Sequence, residues 1–311
     1  MHGSIRFVLA ILVALSHLGI TFYGYNMGVA AVVIFYILAG MVSYKLIHNY
    51  YPNQPLLYYK DRLLRILPLY FLVLILSYCI YLAGAKSYFI SEEPNFIAFV
   101  SNIFIIPLSY FMYSHIDKFT LVPPVWSLGV ELQFYILAPF ILTRRKFLLF
   151  FLLLSLLVYI LAAVGVLHTD YFGYRLLLGV LFIFLLGGLI HSQNRILLVS
   201  VYLLLVLTAV YISIIGYKAP YNYETIFALL VGLPLLKYSL NKKLRPISLI
   251  VIDKYLGRLS YAVFLLHFPV LWLVNLSVYF HQNLYIILFL TLILSMLALY
   301  LESYITKRLQ L

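Results

Sequence analysis

Long apolar runs separated by short polar intervals make up most of this chain. At 1.5 Å of rise per residue, an apolar stretch of about 18 residues or more is long enough to cross ~30 Å of hydrocarbon as a helix. Ten stretches meet that length, and they predict transmembrane helices at roughly 5–22, 28–47, 64–83, 125–142, 147–167, 175–191, 196–215, 223–240, 259–278 and 284–304. An eleventh, 95–113, has Asn95, Ser101, Asn102, Pro107 and Ser109 spread through it, so hydropathy alone leaves the count between ten and eleven. The fold class expected is all-α, a polytopic membrane helix bundle of about ten transmembrane helices, forming a single domain over 1–311.

Charge decides between the two counts. With ten spans and a cytoplasmic N-terminus, the inside segments collect Arg6, Lys45, Lys60, Arg62, Arg65, the cluster Arg144–Lys146, Arg195, Lys237, Lys242, Lys243, Arg245, Lys254, Arg258, Lys307 and Arg308. Only Lys86, Lys118, Arg175 and Lys218 of the 21 Lys and Arg residues are left outside. That bias is what the positive-inside rule asks for, whereas a spanning 95–113 would put Arg144–Lys146 on the wrong face. The segment 95–113 is therefore expected to be re-entrant or to lie at the surface, and both termini are expected in the cytoplasm, the membrane being the cell inner membrane.

Composition agrees. Hydrophobic residues are 65% of the 311 and charged ones 10%, too little polar surface to cover a water-soluble core. A net charge of +12 would point a soluble protein toward nucleic acid, but here topology and lipid headgroups account for the basic loops, so no nucleic-acid partner is expected. Cys79 is the only cysteine, which excludes a disulfide framework, a thiolate cluster and a CxxC redox pair. The eight histidines show no HExxH or other close ligand pairing, so no metal is expected. The first span lacks a small-residue cleavage site and is expected to be retained. The longest loops are 46–63, inside and basic, and 84–124, outside and placed to cover an acceptor site.

Polar groups inside apolar helices cost on the order of 2.5–3.5 kcal/mol when charged, and function is the usual reason to keep them. Four segments stand out. Arg6 and His17 are eleven residues apart, roughly 20° past three full turns, so they share a face about 16 Å apart along the axis. A guanidinium at the cytoplasmic mouth suits a phosphate, and an imidazole near mid-bilayer suits removal of a hydroxyl proton. A topology arginine and a core histidine would leave the same pattern. Arg62 and Arg65, at i and i+3 at the mouth of span three, form a fork suited to phosphates or to lipid headgroups, and Pro68 just beyond is placed to kink the helix.

Span four opens with Pro123–Pro124 and carries Ser127, Glu131 and Tyr135 at i, i+4 and i+8, a polar stripe in which Glu131 would orient His17 or serve packing alone. On span nine, Ser260 and His267 share a face, and Pro269 frees backbone carbonyls that His267 would satisfy, a structural use.

Taken together these segments resemble the membrane acyltransferase-3 family, which moves acyl groups, usually acetyl, from acyl-coenzyme A to hydroxyls of sugars and other cell-surface molecules. The matching features are Arg6 with ten residues before His17, Ile34–Gly40, Arg62-Leu63-Leu64-Arg65-Ile66-Leu67-Pro68-Leu69-Tyr70, Trp126-Ser127-Leu128 with Glu131 and Phe134-Tyr135, and Leu259-Ser260-Tyr261 before His267. The resemblance implies an integral-membrane O-acyltransferase with His17 and Glu131 catalytic. Arg6, Arg62 and Arg65 would hold acetyl-coenzyme A or another acyl-CoA, and Trp126, Ser127, Tyr135, Ser260, Tyr261 and His267 would support the substrate. The implied acceptor is a saccharide or lipid-linked glycan, with envelope-biosynthesis proteins as further partners.

Val33 and Ala39 stand where many relatives carry an acidic residue and a serine, so no acidic role is expected there. No hydrolase-like domain of the kind fused to some relatives is expected, so the chain is expected to finish acylation itself or to pass an acyl group to a partner. A saccharide or lipid flippase and a noncatalytic scaffold of an envelope-synthesis complex are the rival readings.

Overall fold

The computed structural model describes residues 2–192, 194–241, 246–277 and 283–308; Lys242, Lys243 and Arg245 lie outside the described residues. Among the described residues there are twelve α-helices: α1 (His2–His17), α2 (Met27–Lys45), α3 (Pro55–Leu82), α4 (Phe96–Phe104), α5 (Phe111–Ser114), α6 (Trp126–Leu142), α7 (Arg145–Ala163), α8 (Leu177–Ser192), α9 (Arg195–Ile215), α10 (Asn222–Asn241), α11 (Ile247–Asn275) and α12 (Leu284–Arg308). Within the same residues the only β pairing is two isolated bridges. Among the described residues nine helical stretches are each long and apolar enough to cross a membrane, and they fall on the last nine of the ten expected spans.

Three expectations need correction. Hydropathy places the first span at 5–22, but α1 ends at His17. Gly19 follows in the left-handed region (φ 85°), which a helix cannot continue through, so His17 is the last helical residue and not a mid-span one. The ninth span is expected to start at 259, yet α11 begins at Ile247, directly after Pro246. Asp253, Lys254 and Arg258 interrupt the hydropathy of that stretch but not its helix. The third likewise starts early, with Pro55 at its first position, and takes up part of the expected loop 46–63. It runs on through Pro68 as one helix.

The segment 95–113 is not one straight helix. Its two halves, Phe96–Phe104 and Ile106–Ser114, are bent by 112° from a common line. The bend sits at Ile105, whose φ of 64° breaks the helical path. Asn102 holds the turn from within: its amide donates to the carbonyls of Ala98 (2.8 Å) and Phe119 (3.0 Å), and its side-chain oxygen accepts from the Leu121 backbone (2.9 Å). The Tyr70 hydroxyl donates to the Asn102 carbonyl.

The chain divides into two compact units. The first comprises Met1–Leu18, Asp61–Gly129 and Arg245–Leu311, and the second comprises Gly19–Lys60 and Val130–Leu244. In the first, α1 packs on α11, and α11 on α12. Gly3 makes the first contact close: a Cβ there would stand 1.7 Å from the Asp253 carbonyl oxygen. Leu9, Ala10, Val13 and Ala14 bury the rest of that face.

In the second unit, α2, α7, α8 and α10 pack together. Two glycines set the crossing of α2 and α8. A Cβ on Gly40 would lie 1.8 Å from the Phe184 carbonyl oxygen, and one on Gly187 would lie 2.0 Å from that of Ile37. Small residues at a crossing let two backbones approach until dispersion holds them, in lipid as in water. Around it Phe184 stacks on Phe134 with centroids 4.4 Å apart and tilts against Tyr36 at 4.6 Å.

Candidate functional site

The α1–α11 pair places chemistry at both ends of α1. At its N-terminal end the first backbone N–H groups have no partner within the helix. Asp253 supplies one from α11, accepting from Gly3 N (3.1 Å), Ser4 N (2.9 Å) and the Ser4 hydroxyl (2.7 Å). A carboxylate there also suits the positive end of the helix dipole.

One turn further on, Arg6 lines a recess of about 520 Å³ with Arg65, Lys254, Arg258, Asp253 and Glu302. The two acids are engaged. Asp253 caps α1, and Glu302 accepts from Arg258 at 3.1 Å. Arg65 donates to the Gly257 carbonyl (3.3 Å) and lies over the Tyr261 ring at 5.6 Å. Four cations against two carboxylates leave the recess electropositive, and three of the four are guanidinium forks, a shape that matches phosphate oxygens in pairs.

At the other end of α1, His17 is exposed. Its Nδ1 lies 2.9 Å from Nε2 of His267, a residue 250 positions away and only 2% exposed. The rings are 5° from parallel with centroids 5.1 Å apart. Stacked faces cannot bring two nitrogens to 2.9 Å, so the rings meet edge to edge with the hydrogen bond in their common plane. Phe268 tilts against His17 at 5.0 Å and meets Phe89 edge-on at 5.3 Å.

The first unit thus brings together Arg6, Arg65, His17, Tyr261 and His267. Arg62 is instead ion-paired with its neighbour Asp61, and the recess lining does not include it. The Ser260 hydroxyl donates to the Gly257 carbonyl (2.9 Å), and that of Tyr261 to the Ile66 carbonyl (3.1 Å). Ser127 donates to the Pro124 carbonyl (3.0 Å) at the start of α6, beside the half-buried Trp126. His267 bonds the Val263 carbonyl at 3.2 Å, one turn back, not a carbonyl freed by Pro269. In the second unit Glu131 accepts from the Tyr135 hydroxyl, and Tyr135 meets Tyr58 edge-on.

Sequence reading missed Gly3, Asp253 and Glu302. Asp253 had a signal: 253, 257, 260 and 267 recur at the spacing of one helix face, the face that carries the motif serine and histidine.

A family model described as an acyltransferase domain matches residues 4–301, from the cap of α1 to the start of the last turns of α12. The chain belongs to the acyltransferase-3 family. It is an integral-membrane acyltransferase, transferring groups other than aminoacyl groups, and its many apolar helices make it a multi-pass membrane protein. An uncharacterized protein of Aquifex aeolicus (strain VF5) is 38% identical over 186 residues, covering 56% of this chain and 80% of its own length. No solved structure matches. For an acyltransferase-3 protein, the arrangement on α1 has a direct chemical reading: a cationic mouth at one end and an exposed imidazole at the other.

Proposed function

We propose that the chain moves an acetyl group from cytoplasmic acetyl-coenzyme A to a hydroxyl of a cell-surface or lipid-linked saccharide, as an O-acetyltransferase of the inner membrane with both termini in the cytoplasm. The observation that carries this reading is the single face of α1, with Arg6 in the electropositive recess and His17 about 16 Å along the axis. The charge bias among loops supports placing the recess on the cytoplasmic side. A thioester donor with phosphates at its far end suits this layout, because Arg6, Arg65 and Lys254 hold anionic oxygens while the acyl end extends toward the imidazole.

His17 acts as the general base. It takes the proton from the acceptor hydroxyl as that oxygen bonds to the thioester carbonyl carbon. The C–S bond then breaks, and the proton on His17 passes to the leaving thiolate, so ester and free thiol are the products. Glu131 is kept as a catalytic residue on the family resemblance, and Glu131→Gln is the substitution that examines it.

The test has two arms. In reconstituted vesicles, release of free thiol from acetyl-coenzyme A is followed for wild type, Arg6→Gln, Arg65→Gln and His17→Ala. In cells lacking the protein, acetyl signals on surface polysaccharide are read by NMR after complementation with the same set. Each lost charge-assisted contact is worth about 1.5–3 kcal/mol, so each arginine variant should raise the donor KM by roughly 10- to 100-fold. His17→Ala should abolish turnover and acetylation. Full turnover by His17→Ala would overturn the mechanism, and saccharide crossing the vesicle membrane without donor consumption would put a flippase in its place.

A further inference from the structure

We propose that His267 is a positioning residue that fixes the proton of His17 on Nδ1 and so makes Nε2 the proton-accepting nitrogen. The proposal rests on the acyl-transfer reading and deepens it, because it names the atom that takes the proton and the group that makes that atom basic.

The argument starts at a backbone carbonyl, which can only accept. His267 Nδ1 lies 3.2 Å from the Val263 carbonyl oxygen, so Nδ1 carries a proton. His267 is buried, 2% exposed, with the rings of Phe264 and Phe268 at centroid distances of 6.4 and 5.1 Å. A second proton would place an uncompensated charge in that apolar surround at a cost of several kcal/mol, so the ring is neutral and its Nε2 is an acceptor. The 2.9 Å contact between Nε2 and His17 Nδ1 then requires a proton on His17 Nδ1. In a neutral imidazole that proton is the only one, and the lone pair is on Nε2. Coplanarity within 5° aims the Nδ1–H bond along the acceptor lone pair, which holds His17 in one rotation about its side chain as well as in one tautomer.

The same bond works harder during the reaction. When His17 takes the acceptor's proton on Nε2 it becomes an imidazolium, and its Nδ1–H bond to His267 becomes charge-assisted, roughly twice as strong as the neutral one. The gain appears as charge develops and not before, the condition for lowering a barrier. A buried carboxylate does the same service in other catalytic imidazoles. Here a neutral ring anchored on a helix carbonyl does it without bringing a net charge into an apolar helix.

Two side chains separate this role from packing. In His267→Gln the terminal amide reaches the place of the imidazole Nε2 and offers an oxygen to His17. The shorter amide of His267→Asn reaches only the place of Nδ1. His267→Gln should therefore keep kcat within about 10-fold of wild type, whereas His267→Asn and His267→Leu should lose roughly 100-fold, a part of the 10²–10⁴ that general base catalysis supplies. Donor KM should stay within about 3-fold in all three, since the recess is at the opposite end of α1. Equal losses for His267→Gln and His267→Asn, or wild-type kcat in His267→Asn, would overturn the proposal.

A measurement without turnover keeps the result independent of folding in the variants and of the acyl-transfer reading. Nitrogen-15 NMR of histidine-labelled wild-type protein in nanodiscs reports which ring nitrogen bears hydrogen, His17 being assigned by its loss in His17→Ala. Nδ1–H at His17 is the expected result, and Nε2–H would refute the proposal. Full activity in His17→Ala alongside an Nδ1–H signal would sink the functional reading and leave the hydrogen-bond chain standing.

Discussion

Replacing Gly3 by alanine adds one methyl group where α1 meets the α11 backbone. The new Cβ would stand 1.7 Å from the Asp253 carbonyl oxygen and 2.7 Å from its carbon, both backbone atoms that cannot swing aside. A relaxed carbon–oxygen contact needs about 3.3 Å, so the two helices must part by roughly 1.6 Å at this level. An opening of that size takes the Asp253 contacts at 2.7–3.1 Å out of hydrogen-bond range. Overpacking of this kind costs about 1–3 kcal/mol, and each lost hydrogen bond about 0.5–1.5 kcal/mol more.

The displacement is largest at the N-terminal end. Arg6 is one turn away, whereas His17 is fourteen residues, about 21 Å, along the axis. A pivot of α1 therefore disturbs the recess more than the imidazole pair. Gly3→Ala should lower the melting temperature in detergent and raise donor KM about 10-fold while kcat stays within about 3-fold, a split that marks lost ground-state binding. Gly257→Ala is the paired control. Its Cβ would meet only the Gly3 Cα, at 3.0 Å, which a shift of a few tenths of an ångström relieves, so it should be the milder change. Wild-type melting and KM in Gly3→Ala, or a larger effect from Gly257→Ala, would refute this account of how α1 is seated.

Two further substitutions probe the rest of the fold. Asn102→Ala leaves the Leu121 N–H and the Ala98 and Phe119 carbonyls without their side-chain partner, a cost of about 2–4 kcal/mol that should appear as faster limited proteolysis between 96 and 120 before global melting. Gly187→Ala pushes a Cβ to 2.0 Å from the Ile37 carbonyl oxygen and should destabilise by at least about 1–3 kcal/mol. The adjacent Gly188→Ala meets a leucine methyl at 3.2 Å that can move, so its melting curve should stay near wild type.

Much of the architecture is legible in the sequence because lipid imposes one simple requirement, an unbroken apolar length. The segment 95–113 fails it through Asn95 and Asn102, and these are the residues that cap α4 and hold the bend. Helix ends are harder to read. Gly19 sits inside an apolar run, so nothing in hydropathy separates a glycine that ends α1 from one that lies within a span. The start of α11 is hidden for the opposite reason, because charged residues end a hydropathic window while leaving a helix intact. Gly40 is visible as part of a motif, but only the crossing of α2 and α8 explains why a side chain is excluded there.

The site divides in the same way. The shared face of Arg6 and His17 follows from helical spacing, and so does that of Ser260 and His267. Their meeting does not, since 250 residues separate the two histidines and no local rule pairs them. Glu302 is equally silent in sequence, because an ion-paired carboxylate looks like an ordinary charge until its helix is brought beside α11, whereas Asp253 is marked by the face it shares with Gly257, Ser260 and His267.

The place where α1 ends has a consequence for the membrane itself. His17 is the last residue of that helix and is exposed, about 16 Å along the axis from Arg6, roughly half of the ~30 Å hydrocarbon layer. A polar group held at such a depth draws headgroups and water toward it, because the alternative is to stand bare in hydrocarbon. The imidazole would then be reached by polar molecules without having to leave the helix that also carries Arg6.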